Sequence, residues 1–294
     1  MARLGDARAL PSLLAAVDSD VDAWRAIQVA GHLPQVAGQL VPRLCDHLRR
    51  IDLSQQCNEM SVNALLAALA ALGDPAAVPV VVDTLGAAGR HEQHHVTRSA
   101  LKTLGVFGPA AISARDAIRS LTAATDAHVR PAAVAALWAV SGDPAEVMPL
   151  VLELLEDRIT FRISEAAALL GEIGPPAAVA LPRLRDLLTH DYEWVRVPCA
   201  AALWEIGGEA EAPAVLDALL QAMARNPATT SHVVACLDRM GSHAAPALPL
   251  LREQLAQPRR GGGFQSIEQD EQLQWAGRTL IARLTSEPGF PEAR

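Results

Sequence analysis

The densest group of side chains able to do chemistry is HEQHH at residues 91–95. On a helix His91, His94 and His95 would stand at i, i+3 and i+4, turning their imidazoles to one face beside Glu92, a set able to hold a divalent metal. Off a helix the same string is a solvated turn between two helices, and it is read that way, with no metal assigned. Cys45, Cys57, Cys199 and Cys236 are scattered with no C-x-x-C pair, which argues against a zinc or redox motif and predicts small buried core thiols. No Ser-His-Asp arrangement can be assembled around a nucleophile elbow, and Gly261–Gly263 lacks the Lys-Ser/Thr of a phosphate loop. No catalytic residue and no cofactor are therefore expected.

Two groups suit binding better than catalysis. Trp138 and Trp204 lie 66 residues apart with Gly171 midway between them. Two rings flanking a missing side chain make a notch for an apolar anchor or a base, or else they pack one repeat on the next. The other group is a series of polar residues at recurring positions: Arg43, His47 and Arg50, then Arg115 and Arg119, Glu153 and Glu156, Arg183, Asp186, Asp217 and Gln221, and finally Arg252.

The elements that must position these residues are short helices arranged as a repeat. Residues 160–189, TFRISEAAALLGEIGPPAAVALPRLRDLLT, give an apolar helical pattern ending at Gly174, a Pro-rich break, and a second helix opening at Pro182. Residues 193–223 repeat the plan. Second helices open at Pro11, Pro42, Pro79, Pro149, Pro182 and Pro249, with Ser113 and Val215 taking the same place in two other pairs. Proline fits there because the first turn has N–H groups without helical partners. First helices end near Gly73, Gly105, Ser141, Gly174, Gly207 and Gly241, in steps of 32, 36, 33, 33 and 34 residues. Half of the residues are hydrophobic but only 3 % are aromatic, and period-two β-branched runs are scarce. Such a core suits close helix packing, and no sheet is expected.

Three strings carry a family resemblance: DAHVRPAAVAAL at 126–137, DRITFRISEAAAL at 157–169 and DYEWVRVPCAAAL at 191–203. Each places an Asp at the turn, an Arg four or five residues later (Arg130, Arg162, Arg196) and an Ala-rich helix. Pro131 and Pro198 stand where a first helix bends. The pattern resembles HEAT repeats, and in particular the short bacterial phycobilisome-lyase HEAT-like repeats. The resemblance implies an all-α fold, a right-handed α-solenoid of about seven to eight two-helix repeats in which second helices line the concave face. The Asp residues are expected to cap the following helix, and the arginines to form a ladder bridging neighbouring turns. Two enzyme families share this architecture. Deoxyhypusine hydroxylases use several His-Glu pairs, of which this chain has only His91-Glu92. Alkylpurine DNA glycosylases use a basic groove with Trp, Asp and Arg.

The array is expected over residues 1–257, with 1–20 a partial first repeat. LGDARALP at 4–11 matches LGDPAAVP at 72–79 but lacks the helix that precedes the second copy, so the chain is read as beginning inside a repeat. A flexible Gly-rich loop at 258–265, a capping helix at 266–285 and a frayed tail at 286–294 complete the organisation. The net charge of −8 argues against a general nucleic-acid binder. Locally, residues 84–140 hold six basic against three acidic side chains, while residues 141–217 hold five arginines against fourteen carboxylates. A duplex laid along both would be repelled in the second stretch. No signal peptide or membrane span is evident, which makes the cytoplasm the expected location. Together these features point to a non-catalytic scaffold or adaptor with a peptide or protein partner on the concave face, as against a HEAT-like lyase or glycosylase or a nucleic-acid-binding module.

Overall fold

The computed structural model describes residues 6–18, 23–256 and 267–286, and every described element is helical. The expected stub at 1–5, the Gly-rich loop at 258–265 and the tail beyond Ser286 lie outside the described residues. No described helix is long and apolar enough to cross a membrane. The chain divides into two compact units, Met1–Leu150 and Val151–Arg294.

In the first unit lie α1 (Leu10–Asp18), α2 (Ala23–Ala30), α3 (Ala37–Arg50), α4 (Glu59–Leu72), α5 (Val78–Arg90), α6 (His94–Phe107), α7 (Arg115–Ser120) and α8 (Val129–Ser141). The division falls within α9 (Pro144–Leu155). The second unit continues with α10 (Thr160–Ile173), α11 (Leu181–Leu187), α12 (Glu193–Gly207), α13 (Ala212–Arg225), α14 (Thr230–Met240), α15 (Leu248–Ala256) and α16 (Ile267–Ser286). Even-numbered helices stack in chain order inside each unit: α2 on α4, α4 on α6 and α6 on α8 in the first, α10 on α12, α12 on α14 and α14 on α16 in the second. Odd-numbered helices pack beside them, as α5 does on α6, α13 on α12 and α15 on α16.

Local chemistry explains the boundaries and corrects several expectations. Helices α4, α6, α8, α10, α12 and α14 end at positive-φ glycines, Gly73, Gly108, Gly142, Gly174, Gly208 and Gly241, spaced 35, 34, 32, 34 and 33 residues apart. Gly207 is the last residue of α12 and Gly105 lies two residues before the end of α6, near the expected stops, but the positive φ falls on Gly208 and Gly108. Without a Cβ, Gly108 and Gly208 take a backbone conformation that side-chain-bearing residues avoid, and so they set the stop. Pro11, Pro79, Pro182 and Pro249 occupy the second position of α1, α5, α11 and α15, where the missing N–H costs no helical bond. Pro42 and Pro149 instead lie inside α3 and α9. Those elements begin five residues earlier than expected, at Ala37 and Pro144, and the ring nitrogens leave the Gly38 and Ala145 carbonyls without a helical donor. Helix α13 opens at Ala212 with Pro213 next, three residues before Val215, and α7 opens at Arg115, after a 3-10 segment that contains Ser113.

The core is Leu, Val and Ala, with Leu65, Leu66, Leu69, Leu101, Leu104 and Leu137 fully buried. Small residues bring the stacked helices close. A Cβ on Gly171 of α10 would lie 3.4 Å from the Ala202 Cα of α12, and one on Gly31 would fall 2.7 Å from the Ala71 Cβ.

Candidate functional site

The turns that carry the Asp-Arg pattern hold themselves together. Asp126 accepts from the N–H groups of His128 and Val129 at 2.9 and 2.8 Å, capping α8, and Asp157 accepts from Ile159 at 2.9 Å ahead of α10. Before α12, the Tyr192 N–H donates to His190 Nδ1. Each arginine of the pattern makes a local bond. Arg130 donates to the Thr122 carbonyl at 3.0 Å, Arg162 to Asp157 at 2.7 Å and Arg196 to Glu193 at 2.8 Å, so each is anchored to its own turn. Arg162 and Arg196 are buried, and a buried guanidinium is tolerable only with its charge met this closely.

Ion pairs also join several odd-numbered helices to one another or to the turns that flank them. Arg43 of α3 pairs with Asp18 of α1 at 3.5 Å. Arg115 and Arg119 of α7 both grip Glu146 of α9, Arg115 at 2.8 Å, and that carboxylate is only 4 % exposed. In the second unit Arg183 of α11 reaches Glu156 at 3.1 Å, and Arg185 of α11 clasps Glu211 just ahead of α13. Guanidinium hydrogen bonds hold the Glu211 carboxyl below the usual range. Of the polar residues picked out by spacing, Arg43, Arg115, Arg119, Glu156 and Arg183 thus join successive helices. Asp217 and Gln221 bond one another along α13 at 2.8 Å. Arg50, Glu153, Asp186, Asp217, Gln221 and Arg252 are exposed. His47 and Arg50 line a cavity of about 550 Å³ with Trp24, between α2, α3 and α4.

Of the three notch residues, Trp138 lies in the first unit, half-buried on α8. In the second unit Gly171 is filled by the approach of Ala202, and the Trp204 ring leans on His243 with centroids 5.6 Å apart. Residues 91–93 of HEQHH form the turn, with Glu92 at φ 53°, while His94 and His95 open α6. Its Gln93 is buried and donates to the Leu53 carbonyl. Among the described residues no group of three His, Cys, Asp or Glu side chains is placed to hold a metal. Cys45, Cys199 and Cys236 are buried as expected, but Cys57 is exposed, because it sits in the 3-10 turn ahead of α4.

A cavity larger than the one beside Trp24 was not anticipated from the sequence. A groove of about 1110 Å³ runs between α12, α14 and α16, with Trp194 on one side, Trp275 on the other and small residues of α14, including Ser231 and Ala235, between them. Trp194 meets His232 edge to face at 5.2 Å, while the Trp275 ring is 73 % exposed. Neither tryptophan shares a repeat position with Trp138 and Trp204, so periodicity passed over both. An indole at the second position of a first helix, as in α2 and α12, was the available signal. The carboxyl of Glu172 on α10 is held above its usual range by desolvation and by the like charge of Glu165, yet it lines neither cavity.

Compared with known proteins, the chain matches no protein-family model and no curated protein.

Proposed function

We propose that the chain is a non-catalytic, cytoplasmic scaffold or adaptor that binds a peptide or protein partner. On this reading each unit is a segment of a right-handed α-solenoid of HEAT-like repeats, with the odd-numbered helices on its concave face. The observation that carries it is the division of labour on the odd-numbered helices: their apolar sides are buried, one set of charges joins neighbours, and Arg50, Asp186, Asp217, Gln221 and Arg252 stay exposed. A series of exposed polar groups on rigid, regularly spaced helices is how repeat proteins present a binding surface.

Arg119 is a poor probe of this surface, because reversing its charge would also disturb the buried Glu146. Asp217→Lys and Arg252→Glu avoid that difficulty. Proteins captured from the native cell lysate by the wild-type chain should bind the double variant at least about tenfold more weakly, with helical circular dichroism unchanged. Equal retention by both forms would refute the assignment of the odd-helix face.

A further inference from the structure

We propose that the groove between α12, α14 and α16 is a second binding site, on the even-numbered helices, for an uncharged proline-rich peptide in the polyproline II conformation.

The charge pattern of the groove selects the occupant. Arg239 pairs with Glu205, and Arg283 pairs with the Asp238 carboxylate at 2.7 Å while also reaching the Asp238 carbonyl at 2.7 Å. The wall charges are cancelled across the helices that form the groove, so a charged ligand would gain little from them and would lose its own hydration. What remains on offer is apolar area and neutral polar groups, hydrogen-bond donors among them. Among the described residues, the indole N–H groups of Trp194 and Trp275 make no hydrogen bond. Asn226 turns its side-chain oxygen to the Ala228 N–H at 3.2 Å, which leaves its NH₂ to donate. Gln272, exposed on α16, adds a second amide.

Indole N–H groups, which donate and cannot accept, complement a ligand rich in acceptors and poor in donors. Proline-rich chains meet that description, since each proline contributes a carbonyl but no N–H. Their extended helix is already ordered before binding, and aromatic-lined grooves with indole donors suit it. The dimensions agree: along α16 the lining runs from Gln269 to Arg283, about 21 Å at 1.5 Å per residue, room for about seven residues of polyproline II at 3.1 Å each. Trp275 also gains a role, since a large ring left 73 % exposed beside a groove is apolar area still to be covered.

The test uses calorimetric titration of the full-length protein with an acetylated, amidated ten-proline peptide and with a Gly-Ser peptide of equal length. The proline peptide should bind saturably at one site, and the Gly-Ser peptide at least tenfold more weakly. Trp275→Ala should weaken proline binding about tenfold or more with no change in melting temperature. Ser231→Trp, which fills the groove, should do the same, while Asp217→Lys on the odd-helix face should leave the affinity intact. No saturable binding, equal binding of the two peptides, or proline binding that survives both groove variants would each overturn the proposal. Because the ligand is synthetic and the site lies on other helices, these outcomes are separate from those of the odd-helix face.

Discussion

Cys199 and Cys236 sit among the apolar side chains of α12 and α14, and burial pushes their thiols up to about 12 and about 11 respectively. Burial raises the Cys45 thiol as well. A thiol reacts through its thiolate, so these three are shielded by both access and protonation, whereas Cys57 is exposed. At pH 8 a maleimide should therefore modify one cysteine of the native protein, Cys57, and all four after denaturation, as counted by mass spectrometry. Native labelling of Cys199 or Cys236 would contradict the packing of α12 and α14. Composition suggested four core thiols; what it lacked was the location of Cys57 in a turn, which depends on where α4 begins. The arginines teach a similar lesson. Spacing showed that Arg130, Arg162 and Arg196 recur, but that each bonds a carbonyl or carboxylate within eight residues of itself follows from the path of its own turn.

Among helices, the decisive contact is the approach of α10 to α12 at Gly171. A Cβ there would already lie 3.4 Å from a backbone atom, so Gly171→Val forces the two helices apart and should cost about 1–3 kcal/mol in chemical denaturation. Gly89 in α5 is the counterpart: nothing lies within 4 Å of a Cβ built on it, and Gly89→Ala should stabilise by about 0.4–1 kcal/mol by restricting the unfolded chain. Helix existence was legible because apolar periodicity and glycine stops are local signals. Helix ends were less so. Gly105 and Gly108 lie three residues apart and only the second has positive φ, a difference of backbone conformation that residue type alone does not announce.

Across the second unit, the paired carboxylates set the response to acid. Asp157 is held below its usual range by the Arg162 guanidinium and the Ile159 N–H, and Glu211 by Arg185. A group whose pKa is lower in the folded than in the unfolded state contributes stability above its unfolded value, and that contribution is lost as pH falls through the folded one. The melting temperature should thus be level from pH 7 to about pH 5 and fall below about pH 4, and Asp157→Asn should flatten that acid limb. The helical repeat was readable from one sequence because its punctuation recurs every 32 to 35 residues. The groove was not, because Trp194, His232 and Trp275 come from three helices spread over some eighty residues, and their meeting depends on how α12, α14 and α16 are spaced.

The positive-φ glycines that close the even-numbered helices have one more consequence. Helices α4 to α14 of the even-numbered set each carry their own full stop, and the ion pairs of the odd-numbered helices described above reach no further than the adjoining member. A whole module could accordingly be gained or lost by duplication or deletion of the gene segment encoding it, without rewriting the modules on either side. Such a chain can change its length over generations while its stops stay the same.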